Sequence, residues 1–115
     1  MIRYLCSELV HITSLDAPNR PVQSGNLEEI GAHFLEVLTE RPFPRKASVC
    51  IASASHQMDG IVESCALQRP LGYFVKVRLA PGSSWSEQRF TPNHLLRISG
   101  PPEDKVSHLG VASGY

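Results

Sequence analysis

The segment from Met58 to Ala80, MDGIVESCALQRPLGYFVKVRLA, limits the fold more than any other. Tyr73, Val75, Val77 and Leu79 alternate with Phe74, Lys76 and Arg78, the period of two that a strand with one buried face requires. Ile61 to Leu67 is a second apolar-rich run. Between the two runs, Arg69-Pro70-Leu71-Gly72 places proline second and glycine fourth in a turn, where a residue without Cβ tolerates a left-handed backbone. The segment reads as a β-hairpin. The rest of the chain must then cover its apolar face and close its edges, since an uncovered edge is a template for aggregation.

A chain of 115 residues is the size of one domain and buries a core without bridges or metal. Eleven basic and 11 acidic residues balance and are not massed in blocks, so the long-range field that drives nonspecific nucleic-acid or membrane binding is missing. A small anionic ligand held by a few arginines remains compatible. Cys6, Cys50 and Cys65 are odd in number, widely spaced and beside expected strands, which suits buried free thiols in a reducing cytosol better than zinc ligands. The opening MIRYLCSELVHI lacks the apolar stretch and cleavage site of a leader, and no run of about 20 apolar residues occurs, so a soluble, cytoplasmic protein is expected.

Glu8 to Thr13 is rich in β-branched residues and precedes Asp16-Ala17-Pro18-Asn19-Arg20-Pro21, which reads as strand and turn. Val22 to Ile30 is expected to return antiparallel as a weak edge. Residues 27–38, LEEIGAHFLEVL, carry a conflict. Leu27, Ile30, Phe34, Leu35 and Leu38 lie at helical spacing behind Asn26 as N-cap, yet Gly31 in mid-run costs a helix about 1 kcal/mol relative to alanine. Periodicity alone favours helix there; the resemblance described next favours strand, turn, strand. Thr39 to Lys46 is a loop held extended by Pro42 and Pro44, Ala47 to Ala52 a short strand, and Ser53 to Gln57 a turn. Trp85 and Phe90 are expected anchors for the segment after the hairpin. Thr91-Pro92 predicts an N-cap and first helical position, opening a short helix through Leu96. Residues 99–115 show no period and are expected to form a flexible tail behind a domain spanning residues 1–98.

In order along the chain, Asn26-Leu27-Glu28-Glu29-Ile30, Arg41-Pro42-Phe43-Pro44, Gly60-Ile61-Val62, Gly72-Tyr73-Phe74, Trp85-Ser86, Phe90 and His94-Leu95-Leu96 together resemble the PilZ family, bacterial β-barrel domains best known for binding cyclic di-GMP. The resemblance covers residues 1–97 and rests on the order and spacing of these stretches. It implies an all-β fold, a six-stranded antiparallel barrel with a short C-terminal helical segment.

In that family an RxxxR stretch before the first barrel strand and a (D/N)xSxxG stretch between later strands hold the nucleotide. Guanidinium forks pair with phosphates and guanine edges, and a small hydroxyl and a glycine admit the ligand closely. Here the first falls on Arg3-Tyr4-Leu5-Cys6-Ser7, with Ser7 in place of the second arginine. The second falls on Glu29-Ile30-Gly31-Ala32-His33-Phe34, with Glu29 for the acid or amide, Gly31 for serine and Phe34 for glycine. Each lost charged hydrogen bond removes about 1.5–3 kcal/mol, enough to carry micromolar binding into the millimolar range. The resemblance therefore implies a degenerate member in which cyclic di-GMP binding through Arg3, Ser7, Glu29, Gly31 and His33 is weakened or lost. A functional receptor in which Arg20, Arg41 or Arg45 replaces the missing contacts is the alternative.

Catalysis and cofactors find little footing. His11, His33, His56, His94 and His108 form no paired metal-binding motif, and Glu28 and Glu29, adjacent in a strand, point to opposite faces. Cys50 and Cys65 lie on apolar strand faces that disfavour a thiolate. Arg41, Arg45 and Lys46 make the densest basic spot, and Phe43 and Phe74, if exposed, would form an apolar docking patch for a partner protein. The reading is a non-enzymatic signalling or adaptor module without cofactor or metal. A structural β-domain dimerising through the edge of its weak second strand is a further alternative, so monomer and homodimer both stay open.

Overall fold

Period-two alternation shapes the described strands. The computed structural model describes residues 2–99 apart from Pro18 and is built from β1 (Ile2–Ser14), β2 (Gln23–Gly31), β3 (Phe34–Thr39), β4 (Ser48–Ala52), β5 (Gln57–Gln68), β6 (Gly72–Leu79) and β7 (Leu96–Ser99). The contested residues 27–38 are strand, turn, strand. Gly31 ends β2, and Leu35 and Val37 of β3 are buried beside Leu27 and Ile30. The helical spacing of Leu27, Ile30, Phe34 and Leu38 is incidental, because a bulge at Glu28 interrupts the strand alternation.

All pairings are antiparallel. Taken as a circuit, β1 pairs β2, β2 pairs β3, β3 pairs β6, β6 pairs β5, β5 pairs β4, and β4 returns to β1. Six strands thus close into a ring, which removes most open edges. The long β1 makes closure work. Its C-terminal half, His11 to Ser14, pairs β4, while Ile2 to Leu5 pair the added strand β7. The expected weak edge at β2 is corrected by this topology, since β2 is paired to β1 on one side and β3 on the other.

Val10, Ile12, Leu27, Ile30, Leu35, Val37, Val49, Ile51, Met58, Val62, Val75 and Val77 fill the interior. One-residue bulges decide which other side chains join them. Leu5 and Glu8 of β1 oppose Glu29 and Leu27, so three steps in β1 match two in β2. The bulge at Glu28 sets Glu29 beside Glu36, on the face opposite Leu35 and Val37. A one-residue slip exchanges inside for outside, so Arg3 and Glu29 both turn away from the apolar interior.

Three expectations about segment ends are corrected. The first strand begins well before Glu8, so Arg3 to Ser7 lie within β1 instead of preceding it. The hairpin turn falls one residue earlier than its glycine suggests. Leu71 N donates to Gln68 O at 2.8 Å, placing Pro70 third in the turn after a cis Arg69–Pro70 peptide, and Gly72, with φ of 131°, starts β6. The expected helix after Thr91 is absent: an irregular segment leads into β7. Its residues gain more from β1, where Leu96 pairs Leu5 and Arg97 pairs Tyr4, than from a turn of isolated helix. Trp85 and Phe90 do act as anchors. Both are buried, Trp85 Nε1 donates to Phe90 O at 2.8 Å, and Tyr4 meets the indole edge to face at 5.2 Å. Ser99 closes β7; the expected tail beyond it lies outside the described residues.

Candidate functional site

The residues expected to hold a nucleotide do not converge. Arg3 and Glu29 are brought together, but against each other: Arg3 Nη1 lies 3.4 Å from Glu29 Oε2, with the residues 5% and 3% exposed. Gly31 is the strand partner of Arg3 and is buried, and a Cβ there would meet the Phe34 ring at 2.7 Å. The Phe34 ring thus stands directly against Gly31. Ser7 is exposed at the β1 bulge, where its N–H donates to Asn93 O at 3.0 Å and its hydroxyl bonds Asn26 Oδ1 at 3.2 Å. His33 is exposed in the β2–β3 turn, its carbonyl accepting from Leu79 N–H at 2.9 Å.

Arg20, Arg41 and Arg45 lie at the other end of the ring. Arg41 N–H donates to Gln23 Oε1 at 3.1 Å, and Gln23 pairs Ile12. Strand rise of ~3.3 Å per residue separates Ile12 from Arg3 by roughly 25–30 Å. Arg20 is exposed in the β1–β2 connection, its N–H bonded to Ala17 O at 2.9 Å. No single dinucleotide touches both groups in this arrangement.

What the structure does assemble is a cleft at that second end, of about 570 Å³, lined by Pro42, Phe43, Arg45, Glu63, Ser64, Cys65 and Tyr73. A neighbouring depression of about 270 Å³ shares Arg45 and Glu63 and adds Lys46, Ile61, Val62 and Arg78. The loop of residues 40–47 shapes the first cleft, with Phe43 set between Pro42 and Pro44. Phe43 plugs the ring mouth at 4% exposure, and Lys46, with φ of 75°, turns the chain into β4. The exposed Phe43 and Phe74 patch is therefore corrected: Phe43 belongs to the core and Phe74 is half-buried, because the loop folds inward over Val62 instead of standing in solvent.

Taken together, the cleft and its neighbouring depression are basic. Arg45, Lys46 and Arg78 face a single carboxylate, Glu63. The Arg78 guanidinium, donating from Nε at 3.0 Å and also from Nη2, holds the Glu63 carboxyl below the usual carboxylate range, helped by the charges of Arg78, Lys76 and Arg45. Thiol chemistry is suppressed elsewhere. Burial, reinforced by the nearby carboxylates, pushes the Cys6 thiol up to about 12, and burial followed by a hydrogen bond to Asp59 pushes Cys50 to about 11. Among the described residues no group of three or more His, Cys, Asp or Glu side chains is placed to hold a metal, and no helix is long and apolar enough to cross a membrane.

Glu63, Ser64, Cys65, Tyr73 and Arg78 escaped the sequence reading as site residues. No sequence signal marks them: the mismatch between β5 (Gln57–Gln68) and β4 (Ser48–Ala52) shows only once the two strands are paired. No protein-family model matches this chain, and no curated protein or solved structure matches it either.

Proposed function

We propose that the chain is a non-enzymatic, PilZ-like binding module whose cyclic di-GMP site is lost and which works through contacts with another protein. The observation that carries this reading is the Arg3–Glu29 pair. The arginine aligned with the nucleotide-binding signature is buried against an internal carboxylate, and drawing it out to a phosphate would break that buried ion pair. Two further features support it. Phe34 packs on Gly31 where a ligand would approach, and the substitute arginines Arg20 and Arg41 sit at the far end of the ring. An antiparallel sheet whose strands run in a ring also supports the reading, since the resemblance implies a barrel. A signalling or adaptor role follows by analogy of fold, and the partner side of it rests on the basic cleft.

Isothermal titration of the full chain with cyclic di-GMP is the test. The expected result is no binding at micromolar concentrations. Low-micromolar affinity abolished by Arg3→Ala would overturn the reading, and the same affinity abolished instead by Arg41→Ala and Arg45→Ala would establish the receptor that uses substitute arginines.

A further inference from the structure

The six-stranded ring is closed, yet among the described residues β5 leaves a length of strand edge open, besides the outer edge of β7. β4 pairs β5 from Ala52–Gln57 to Ser48–Ile61, and two further hydrogen bonds, Val62 N to Ala47 O at 2.9 Å and Lys46 N to Val62 O at 2.8 Å, extend the contact by one residue. Beyond Val62, β5 runs on to Gln68 paired only with β6 among the described residues. The outer edge of Ser64–Gln68 is thus unpaired. It carries no charge and no proline, the usual devices that keep an edge from accepting another strand.

The surroundings specify what fits. The cleft reaches this edge at Ser64 and Cys65, and Pro42, Phe43 and Arg45 are among its other lining residues. Exposed apolar side chains stand nearby, Leu67 at 45% and Leu71 at 59%. The rim is cationic: Arg45, Lys46, Arg69 and Arg78 are all exposed, and the Glu63 carboxylate among them is already bonded to Arg78. A second copy of this chain pairing edge to edge would bring the two basic rims together, so the charge pattern disfavours self-association. An extended segment bearing carboxylates matches both the backbone edge and the rim.

We propose that β5 accepts an acidic, extended peptide of a partner protein as an added strand along Ser64–Gln68, its carboxylates meeting Arg45 and Lys46. This mode draws affinity from main-chain hydrogen bonds and selectivity from the flanking charges. It rests on the protein-contact reading above and names the partner's chemistry.

The test uses the full chain and three blocked octapeptides: alternating Val-Glu, alternating Val-Lys, and Val-Glu with alternate amides N-methylated. Titration and amide hydrogen exchange are read together. The expected result is binding by the Val-Glu peptide alone, slower exchange confined to Ser64–Gln68, and about tenfold weaker binding in Arg45→Glu/Lys46→Glu or at high salt. Arg45→Gln, which removes charge without reversing it, serves if the double variant does not fold. Equal binding of the Val-Lys or N-methylated peptide, absence of Val-Glu binding, or protection elsewhere would overturn the proposal. So would a doubled solution mass with this edge already protected in the free protein. Tight cyclic di-GMP binding would end the reading above without changing these exchange results, so the two failures are distinguishable.

Discussion

Arg3 of β1 and Glu29 of β2 form a buried ion pair on the face of the sheet turned away from the apolar interior, at 3.4 Å between Nη1 and Oε2. Two bulges put them there, one in each strand. The pair ties the outer faces of β1 and β2 together, with both side chains buried.

Breaking that pair from one side is expected to be costly. Arg3→Ala removes one partner of a buried ion pair, with a loss of about 3–5 kcal/mol in urea unfolding. Arg3→Met combined with Glu29→Leu is expected to lose far less. A single-variant loss under 1 kcal/mol would show that the pair has no structural role.

Glycine positions divide by what stands in front of them. A Cβ at Gly60 would meet Arg78 O at 2.5 Å and Val77 Cγ1 at 2.6 Å, whereas at Gly31 it would meet only the Phe34 ring. A ring swings aside more readily than a paired strand backbone. Gly60→Ala is therefore expected to lose about 1–3 kcal/mol and Gly31→Ala less, measured by thermal or urea unfolding. The reverse order would contradict the close packing of β5 on β6.

Alkylation by iodoacetamide near pH 8 checks the thiols. With Cys6 raised to about 12 and Cys50 to about 11, both are expected to react at least roughly a hundredfold more slowly in the native protein than in urea. Peptide mapping assigns the sites. Rapid native labelling of Cys6 would place it outside the core.

The Glu63 carboxyl titrates lower in the folded than in the unfolded chain. Its contribution to stability is then fully present above the unfolded carboxylate range and is lost as pH falls through the folded value. Because the group is partly open to solvent, screening holds the effect to about 0–1 kcal/mol. Glu63→Gln is expected to flatten the acid limb of the stability curve slightly and to leave neutral-pH stability within that range. An unchanged acid limb would show that Arg78 does not hold this carboxylate.

Much of the architecture was legible because alternation is local. The Tyr73–Leu79 face, the short strand of Val49 and Ile51, and the anchors Trp85 and Phe90 all follow from residue order and side-chain character. The segment after Thr91 was misread for the same reason. Its N-cap signal is genuine locally, but pairing with β1 outweighs it.

By itself the sequence determined the central hairpin, the short strand of residues 47–52 and the anchors Trp85 and Phe90, since each depends on residue type and near neighbours. Only the tertiary structure decided that the ring closes, that Arg3 spends its charge on Glu29, that Phe43 is core, and that the open edge belongs to β5 and not β2. Those outcomes depend on bulges and on the unequal lengths of paired strands, which have no meaning until two distant segments are laid side by side.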